Sequence, residues 1–174
     1  MFSGKSTTIL DRVKRAQVIG INTLIITSAL DIRYDKINHV KTHDKQMVEA
    51  IGLEDLKEIT RFAAFQNAKL VIIEEAQFFY GLYDMVKLLV ETYKRDVIVV
   101  GLDGDSDRKP FGEILDLIPL ADTVTKLSAL CKRCGDGTAA IFTSCKSTKS
   151  TQVCVGDADT YEALCRRHYL EARQ

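Results

Sequence analysis

Short apolar runs of strand length alternate with helical patterns over the first three quarters of the chain, and this alternation constrains the fold most. The runs are rich in β-branched residues and almost continuously apolar, which is typical of parallel strands buried on both faces. They lie at residues 22–29, 68–79, 96–103 and 122–130. Helical spacing of apolar residues at 6–19, 45–58 and 81–94 predicts the connecting helices. This order of elements predicts an α/β sheet with right-handed crossovers.

The composition favours a small, locally recognised ligand. The chain has 174 residues, 46% of them hydrophobic, and its 24 Lys and Arg balance its 24 Asp and Glu. A balanced charge gives no overall attraction for nucleic acid or for an acidic membrane surface. No apolar run approaches the roughly 18 residues of a membrane span, and the basic-then-apolar pattern of a signal peptide is absent. We therefore expect a cytoplasmic protein that binds neither nucleic acid nor membrane.

The cysteines mark a second region. All five fall in the last quarter of the chain, and two Cys-x₂-Cys/His pairs are separated by thirty residues. The pairs are Cys131 with Cys134, and Cys165 with His168. Four such ligands suit a tetrahedral structural Zn²⁺, although buried cysteines and a surface histidine would leave the same pattern. Cys145 and Cys154 are expected to be free thiols, with Cys154 as an alternative ligand. We expect residues 1–130 to form the α/β domain and residues 131–174 a zinc lobe.

The N-terminus carries a phosphate-binding pattern. Gly4, Lys5 and Ser6 match the end of the phosphate loop, in which backbone N–H groups at a helix start cradle phosphates and the hydroxyl binds Mg²⁺. A Gly-Ser turn that caps a helix is the alternative. The apolar run at 70–73 ends in Glu74 and Glu75, where open α/β sheets bind ligands. Two acids at this point can hold Mg²⁺ and activate a nucleophile.

Seven motifs in the same order resemble the zinc-containing type II thymidine kinases of cells and large DNA viruses. They are MFSGKST at 1–7, DIRY at 31–34, THD at 42–44, EEAQFF at 74–79, LDG with RKPF within 102–111, LIPLAD at 117–122, and Cys-x₂-Cys followed by D-x-Y-x₃-C-x₂-H. The resemblance implies a RecA-like P-loop NTPase sheet with a zinc-ribbon lobe that carries a substrate-covering loop. It further implies transfer of the ATP γ-phosphate to the 5′-hydroxyl of deoxythymidine, a homotetramer, and feedback inhibition by the triphosphate end product.

The resemblance also implies roles for residues around the phosphates. Glu75 would be the general base on the 5′-hydroxyl, and Glu74 would be the Mg²⁺ acid. Arg33 would neutralise charge on the transferred phosphoryl group, with Asp31 positioning it. The remaining implied phosphate and nucleotide contacts are Met1, Phe2, Ser3, Gly4, Lys5, Ser6, Thr7 and Gln77.

For the nucleoside, the resemblance implies a loop between the zinc pairs that folds over the base. Its main-chain groups would come from Val153, Cys154, Val155 and Gly156, and Tyr161 would reach the sugar or the base. Phe78, Leu102, Ser106 and Phe111 would complete the pocket. The zinc would then fix the substrate loop.

Two departures from the family pattern bear on these expectations. Ser106 stands where the family has an aromatic residue, which predicts weaker base binding. Ala76 replaces the glycine after the two acids, as in helicases. An ATP-driven nucleic-acid motor is therefore one alternative. A zinc-ribbon interaction module is another, but it explains only the C-terminal region. Because the chain begins inside the phosphate loop, we expect a first strand upstream of Met1, placed beside the strand of Glu74.

Overall fold

A computed structural model describes residues 1–31, 38–41, 47–146 and 160–173. Its centre is a five-stranded sheet of order β2-β3-β1-β4-β5. The strands are β1 (Thr23–Ser28), β2 (Asn38–Lys41), β3 (Met47–Leu53), β4 (Leu70–Glu74) and β5 (Asp96–Val99). Strands β3, β1, β4 and β5 run parallel, and β2 pairs antiparallel with β3. The predicted α/β class with a parallel sheet is confirmed.

Helices cover both faces of this sheet. They are α1 (Lys5–Val18), α2 (Ala63–Asn67) and α3 (Leu82–Glu91). Ile9 and Val13 of α1 pack with Ile72 of β4, whereas Leu82 of α3 packs with Ile73 of the same strand. Since successive strand residues point to opposite faces, β4 is buried throughout, as its continuous apolar run predicts.

The helix predicted at residues 45–58 is wrong. Residues 47–53 form β3, and a 3₁₀ helix follows at Leu56–Arg61; residues 45 and 46 lie outside the described residues. Strand β3 pairs with both β1 and β2, and buries Ala50 and Leu53. Pairing along both edges of β3 therefore outweighs the helix that the spacing of its apolar residues predicts, because local propensity is only a weak preference.

The strand predicted at residues 122–130 is also wrong over most of its length. Only Ala129–Leu130 is a strand (β6), and residues 122–128 are exposed. Within the part of the chain that the structure describes, no strand pairs with the outer edge of β5. A strand needs a hydrogen-bonded neighbour, and no described strand pairs with residues 122–128, so this run does not form one. Among the described residues, β1 and β5 occupy the two edges of β4. The expected strand upstream of Met1 stays a prediction.

The C-terminal lobe consists of small sheets and one helix. Strand β6 pairs with β7 (Ala139–Ala140), and β8 (Phe142–Cys145) pairs with β9 (Tyr161–Leu164). Helix α4 (Arg166–Glu171) follows. The lobe has its own small core, formed by Ala129, Cys131, Ala140, Ala163, Leu164 and Tyr169.

Candidate active site

The predicted phosphate loop precedes α1 directly. Gly4 caps the helix with a φ of 81°, a left-handed conformation that suits glycine, and α1 begins at Lys5 with no acidic residue in its first turn. Free N–H groups at a helix start attract anions. Met1 and Phe2 precede the cap, and the α-amino group of Met1 donates a hydrogen bond of 3.0 Å to Thr143 Oγ1 in the lobe.

The loop meets the end of β4 through one hydrogen bond. Ser6 Oγ donates to Glu74 Oε1 at 3.1 Å, and Glu74 is only 7% exposed. A hydroxyl and a carboxylate at this distance, beside a helix N-terminus, are the oxygen ligands that Mg²⁺ takes alongside phosphate. The structure therefore brings together two residues that the sequence separates by 68 positions.

Glu75 is held in an unusual backbone conformation. Its φ and ψ are 49° and 40°, in the left-handed region, at the junction between β4 and the 3₁₀ helix Ala76–Phe78. Gln77 Nε2 donates to Glu75 Oε2 at 2.5 Å, while Gln77 Oε1 accepts a hydrogen bond of 3.0 Å from the Leu102 N–H. Gln77 is 4% exposed, and both bonds are partly buried. One carboxylate oxygen of Glu75 is thereby fixed by a neutral donor.

Two glycines make room for Gln77. A Cβ at Gly101 would lie 2.5 Å from Gln77 Oε1 and 2.3 Å from Ile114 Cδ1. At Gly112, where φ is +60°, a Cβ would lie 2.4 Å from the Gln77 carbonyl oxygen. The sequence analysis missed both glycines; the signal available was the position of Gly101 just after β5 and of Gly112 directly after the RKPF motif.

The aromatic residues predicted for the nucleoside pocket lie together. Phe78 and Phe111 contact edge to face, with ring centroids 5.5 Å apart, and Phe111 is buried. Leu102 adjoins them through its bond to Gln77. The carbonyl oxygen of Ser106 accepts hydrogen bonds from the side chains of Tyr169 in α4 and Arg173 just after it. Whether its side chain faces the base stays a prediction.

Other predicted site residues fall outside what the structure describes. Arg33 lies in one of the gaps, as do Val153, Cys154, Val155 and Gly156 of the predicted substrate loop. Asp31 ends a 3₁₀ helix after β1, with its side chain undescribed. Tyr161 is half-buried at the start of β9.

The four predicted metal ligands converge in the lobe. Cys131, Cys134, Cys165 and His168 place their ligand atoms within 4.8 Å of one another. The Cys134 and Cys165 sulfurs are 3.8 Å apart, and His168 Nδ1 lies 3.4 Å from two sulfurs and 3.6 Å from the third. A tetrahedral site with metal–sulfur bonds of ~2.3 Å has sulfur–sulfur edges of about 3.8 Å and sulfur–nitrogen edges of about 3.5 Å. The group can therefore hold a metal ion.

Electrostatics favour the thiolate form of Cys131, whereas burial raises the pKa of Cys134. Burial raises the pKa of Cys131, but hydrogen bonds from the Cys165 N–H and from His168 outweigh it and lower that pKa to about 6. Metals bind the thiolate form, so a lowered pKa assists binding at neutral pH. Cys145 is half-buried on β8, outside this group.

No helix among the described residues is long and apolar enough to cross a membrane.

The geometry can be compared with known proteins. A family model described as "Thymidine kinase" matches residues 1–169. This chain belongs to the thymidine kinase family. It is 40% identical over 173 residues to "Thymidine kinase a" of Arabidopsis thaliana, covering 98% of this chain and 71% of that protein. It is 37% identical to "Thymidine kinase, cytosolic" of Homo sapiens, covering 98% and 70%, and 36% identical to "Thymidine kinase" of Variola virus, covering 99% and 93%.

Membership in the thymidine kinase family spans both halves of the structure. The matched residues include the phosphate loop, the Glu74–Glu75 pair and all four residues of the metal-binding group. The resemblance read from the motifs is confirmed, and the C-terminal metal group is part of the family match rather than a separate module.

Proposed function

We propose that this chain transfers the γ-phosphoryl group of ATP to the 5′-hydroxyl of deoxythymidine, giving dTMP and ADP. The observation that carries the proposal is the contact between Ser6 and Glu74 with Glu75 next to it, in a chain of the thymidine kinase family. The proposed donor is ATP because the helix N-terminus and the half-buried Lys5 offer a polyphosphate site. The proposed acceptor follows from the names of the relatives.

In the proposed reaction, Glu75 accepts the proton of the 5′-hydroxyl. The nucleoside oxygen forms a bond to the γ-phosphorus, the bond from that phosphorus to the β,γ-bridging oxygen breaks, and ADP leaves with the electron pair. Gln77 fixes Glu75 Oε2. The other carboxylate oxygen can then point to the substrate, as a general base within hydrogen-bond reach requires.

Charge on the phosphates would be balanced from several sides. Ser6 and Glu74 would hold Mg²⁺, which neutralises the β- and γ-phosphate oxygens when bound. Lys5 and Thr7 would contact the phosphates from the start of α1, and Arg33, positioned by Asp31, would approach from the end of β1. The further proposed phosphate contacts are Met1, Phe2, Ser3 and Gly4.

The C-terminal lobe would bind the nucleoside side. Zn²⁺ is the proposed metal, because three cysteines and one histidine in a closed tetrahedral set suit a structural zinc site. The metal would anchor both ends of the segment that carries Val153, Cys154, Val155 and Gly156, with Tyr161 beside it. We place the boundary between the nucleotide domain and this lobe near residue 130, where β6 already pairs and packs within the lobe. We also propose a cytoplasmic homotetramer.

One experiment separates the possible activities. ADP formation by the metal-loaded protein is measured with ATP alone, with thymidine, with deoxycytidine, and with single-stranded DNA. We expect thymidine-dependent ADP with an equal amount of dTMP, and no stimulation by DNA. Stimulation by DNA without dTMP would indicate a nucleic-acid motor, and absence of turnover under all four conditions would contradict the proposal.

A further inference from the structure

The segment between Leu102 and Phe111, called here the 102–111 loop, is held by helix α4 and the residues just after it. The Tyr169 hydroxyl donates to the Ser106 carbonyl oxygen at 2.6 Å, and Arg173 Nη1 donates to the same oxygen at 2.7 Å. Arg173 also forms an ion pair with Asp107 and a hydrogen bond with the Tyr169 hydroxyl. Three groups from two side chains therefore converge on two consecutive residues of the loop.

The two side chains are suited to a fixed contact. Tyr169 is fully buried, and its ring packs 5.0 Å from that of Phe142 in the lobe. The guanidinium of Arg173 lies 5.3 Å from the Tyr169 ring. Its hydrogen bonds to Asp107 and Tyr169 raise the pKa of Arg173, so the charge persists. A planar guanidinium that bonds a carbonyl and a carboxylate fixes direction as well as distance.

The two ends of the same loop contact Gln77 and Phe78, which follow the proposed catalytic carboxylate in the chain. The N–H of Leu102 donates to Gln77, which in turn donates to Glu75. At the other end, Phe111 contacts the ring of Phe78. The loop thus contacts the proposed active site at both ends, and Tyr169 and Arg173 hold its middle.

We propose that Tyr169 and Arg173 are positioning residues that set the place of the 102–111 loop, and through it the nucleoside pocket beside Glu75. The proposal rests on the proposed function for the identity of the nucleoside. It also explains how the metal lobe can influence substrate binding, because Cys165 and His168 precede Tyr169 in the same short segment of chain. The hydroxyl and guanidinium act on the loop, through the Ser106 carbonyl and the Asp107 carboxylate, rather than on the substrate.

The test uses variants that keep the buried packing of the Tyr169 ring and remove only polar contacts. Tyr169→Phe removes the hydroxyl and keeps the buried ring, and Arg173→Gln removes the ion pair. Arg15→Gln is the matched control, since Arg15 also pairs with a carboxylate, Asp11, but on an exposed face of α1. For each metal-loaded protein, metal content, the kcat and KM for thymidine and for ATP, and amide hydrogen exchange in residues 103–110 are measured.

We expect faster exchange in residues 103–110 and a rise in the KM for thymidine of about tenfold in the double variant, as the loss of one to two hydrogen bonds would give. The KM for ATP and the metal content of the double variant should stay near the wild-type values. The Arg15→Gln control should match the wild type in every measurement. Unchanged exchange in residues 103–110 would refute the contact itself. Faster exchange with an unchanged KM for thymidine would refute the positioning role. If the wild type forms no dTMP, the proposed function fails, while the exchange result still decides whether Tyr169 and Arg173 hold the 102–111 loop.

Discussion

Replacing Gly112 with alanine tests the packing around Gln77. The new Cβ would lie 2.4 Å from the Gln77 carbonyl oxygen and 3.0 Å from its carbonyl carbon, at a φ of +60°. A left-handed conformation costs a residue with a Cβ roughly 1–2 kcal/mol. Overpacking against backbone adds about 1–3 kcal/mol. We therefore expect Gly112→Ala to lower the free energy of unfolding by about 2–5 kcal/mol.

Gly81→Ala is the control. Gly81 has a φ of +68°, and no atom lies within 4 Å of its added Cβ. The control should therefore lose only the conformational part, about 1–2 kcal/mol. Urea unfolding at fixed protein concentration, with unchanged denaturant dependence, gives both differences. Activity provides a second measurement, because displacing Gln77 disturbs its bonds to Glu75 and Leu102. Equal losses in the two variants, with normal turnover in Gly112→Ala, would refute the argument that this glycine makes room for Gln77.

Three further predictions concern the residue that holds the proposed general base, the metal group and a surface ion pair. Gln77→Met keeps the side-chain length but loses both hydrogen bonds, so kcat should fall more than the KM for ATP changes; an unchanged kcat in steady-state assays would contradict this. Cys131→Ser should lose the bound metal, measured by elemental analysis, whereas Cys145→Ser should keep it. Burial raises the pKa of Asp103, but its bond to Lys126 outweighs burial and lowers the pKa. Lys126→Gln should therefore cost less than about 1 kcal/mol of stability at pH 7, and this difference should vanish as pH falls below 3.8 through the lowered pKa. Urea denaturation of both proteins at pH 7 and below pH 3.8 measures the difference in free energy of unfolding.

The sequence indicates the parts of the fold that depend on local pattern. The apolar run that forms β4 is buried on both faces, and its end places Glu74 beside Ser6. The spacing of the two ligand pairs predicts a group that does converge, because each pair lies within one turn of chain.

The remaining features depend on long-range contacts. Whether residues 47–53 are helix or strand is decided by pairing with β1, which no local pattern contains. The Ser106 carbonyl oxygen bonds Tyr169 and Arg173, which lie 63 and 67 positions further along the chain. Because the acceptor is a backbone atom, the identity of residue 106 gives no sign of these contacts. The role of Gln77 depends in the same way on the Leu102 N–H and on space left by Gly112.

Single-turnover phosphoryl transfer tests the central claim, that Glu75 activates the thymidine hydroxyl. Metal-loaded wild type and Glu75→Gln are mixed with thymidine and γ-labelled ATP in a rapid-quench instrument, and labelled dTMP is measured over time. The substitution keeps the size of the side chain and removes its basicity. We expect unchanged ATP binding and a transfer rate lower by roughly 10² to 10⁴. A near-normal rate in Glu75→Gln would contradict the account and would assign the proton transfer to another group.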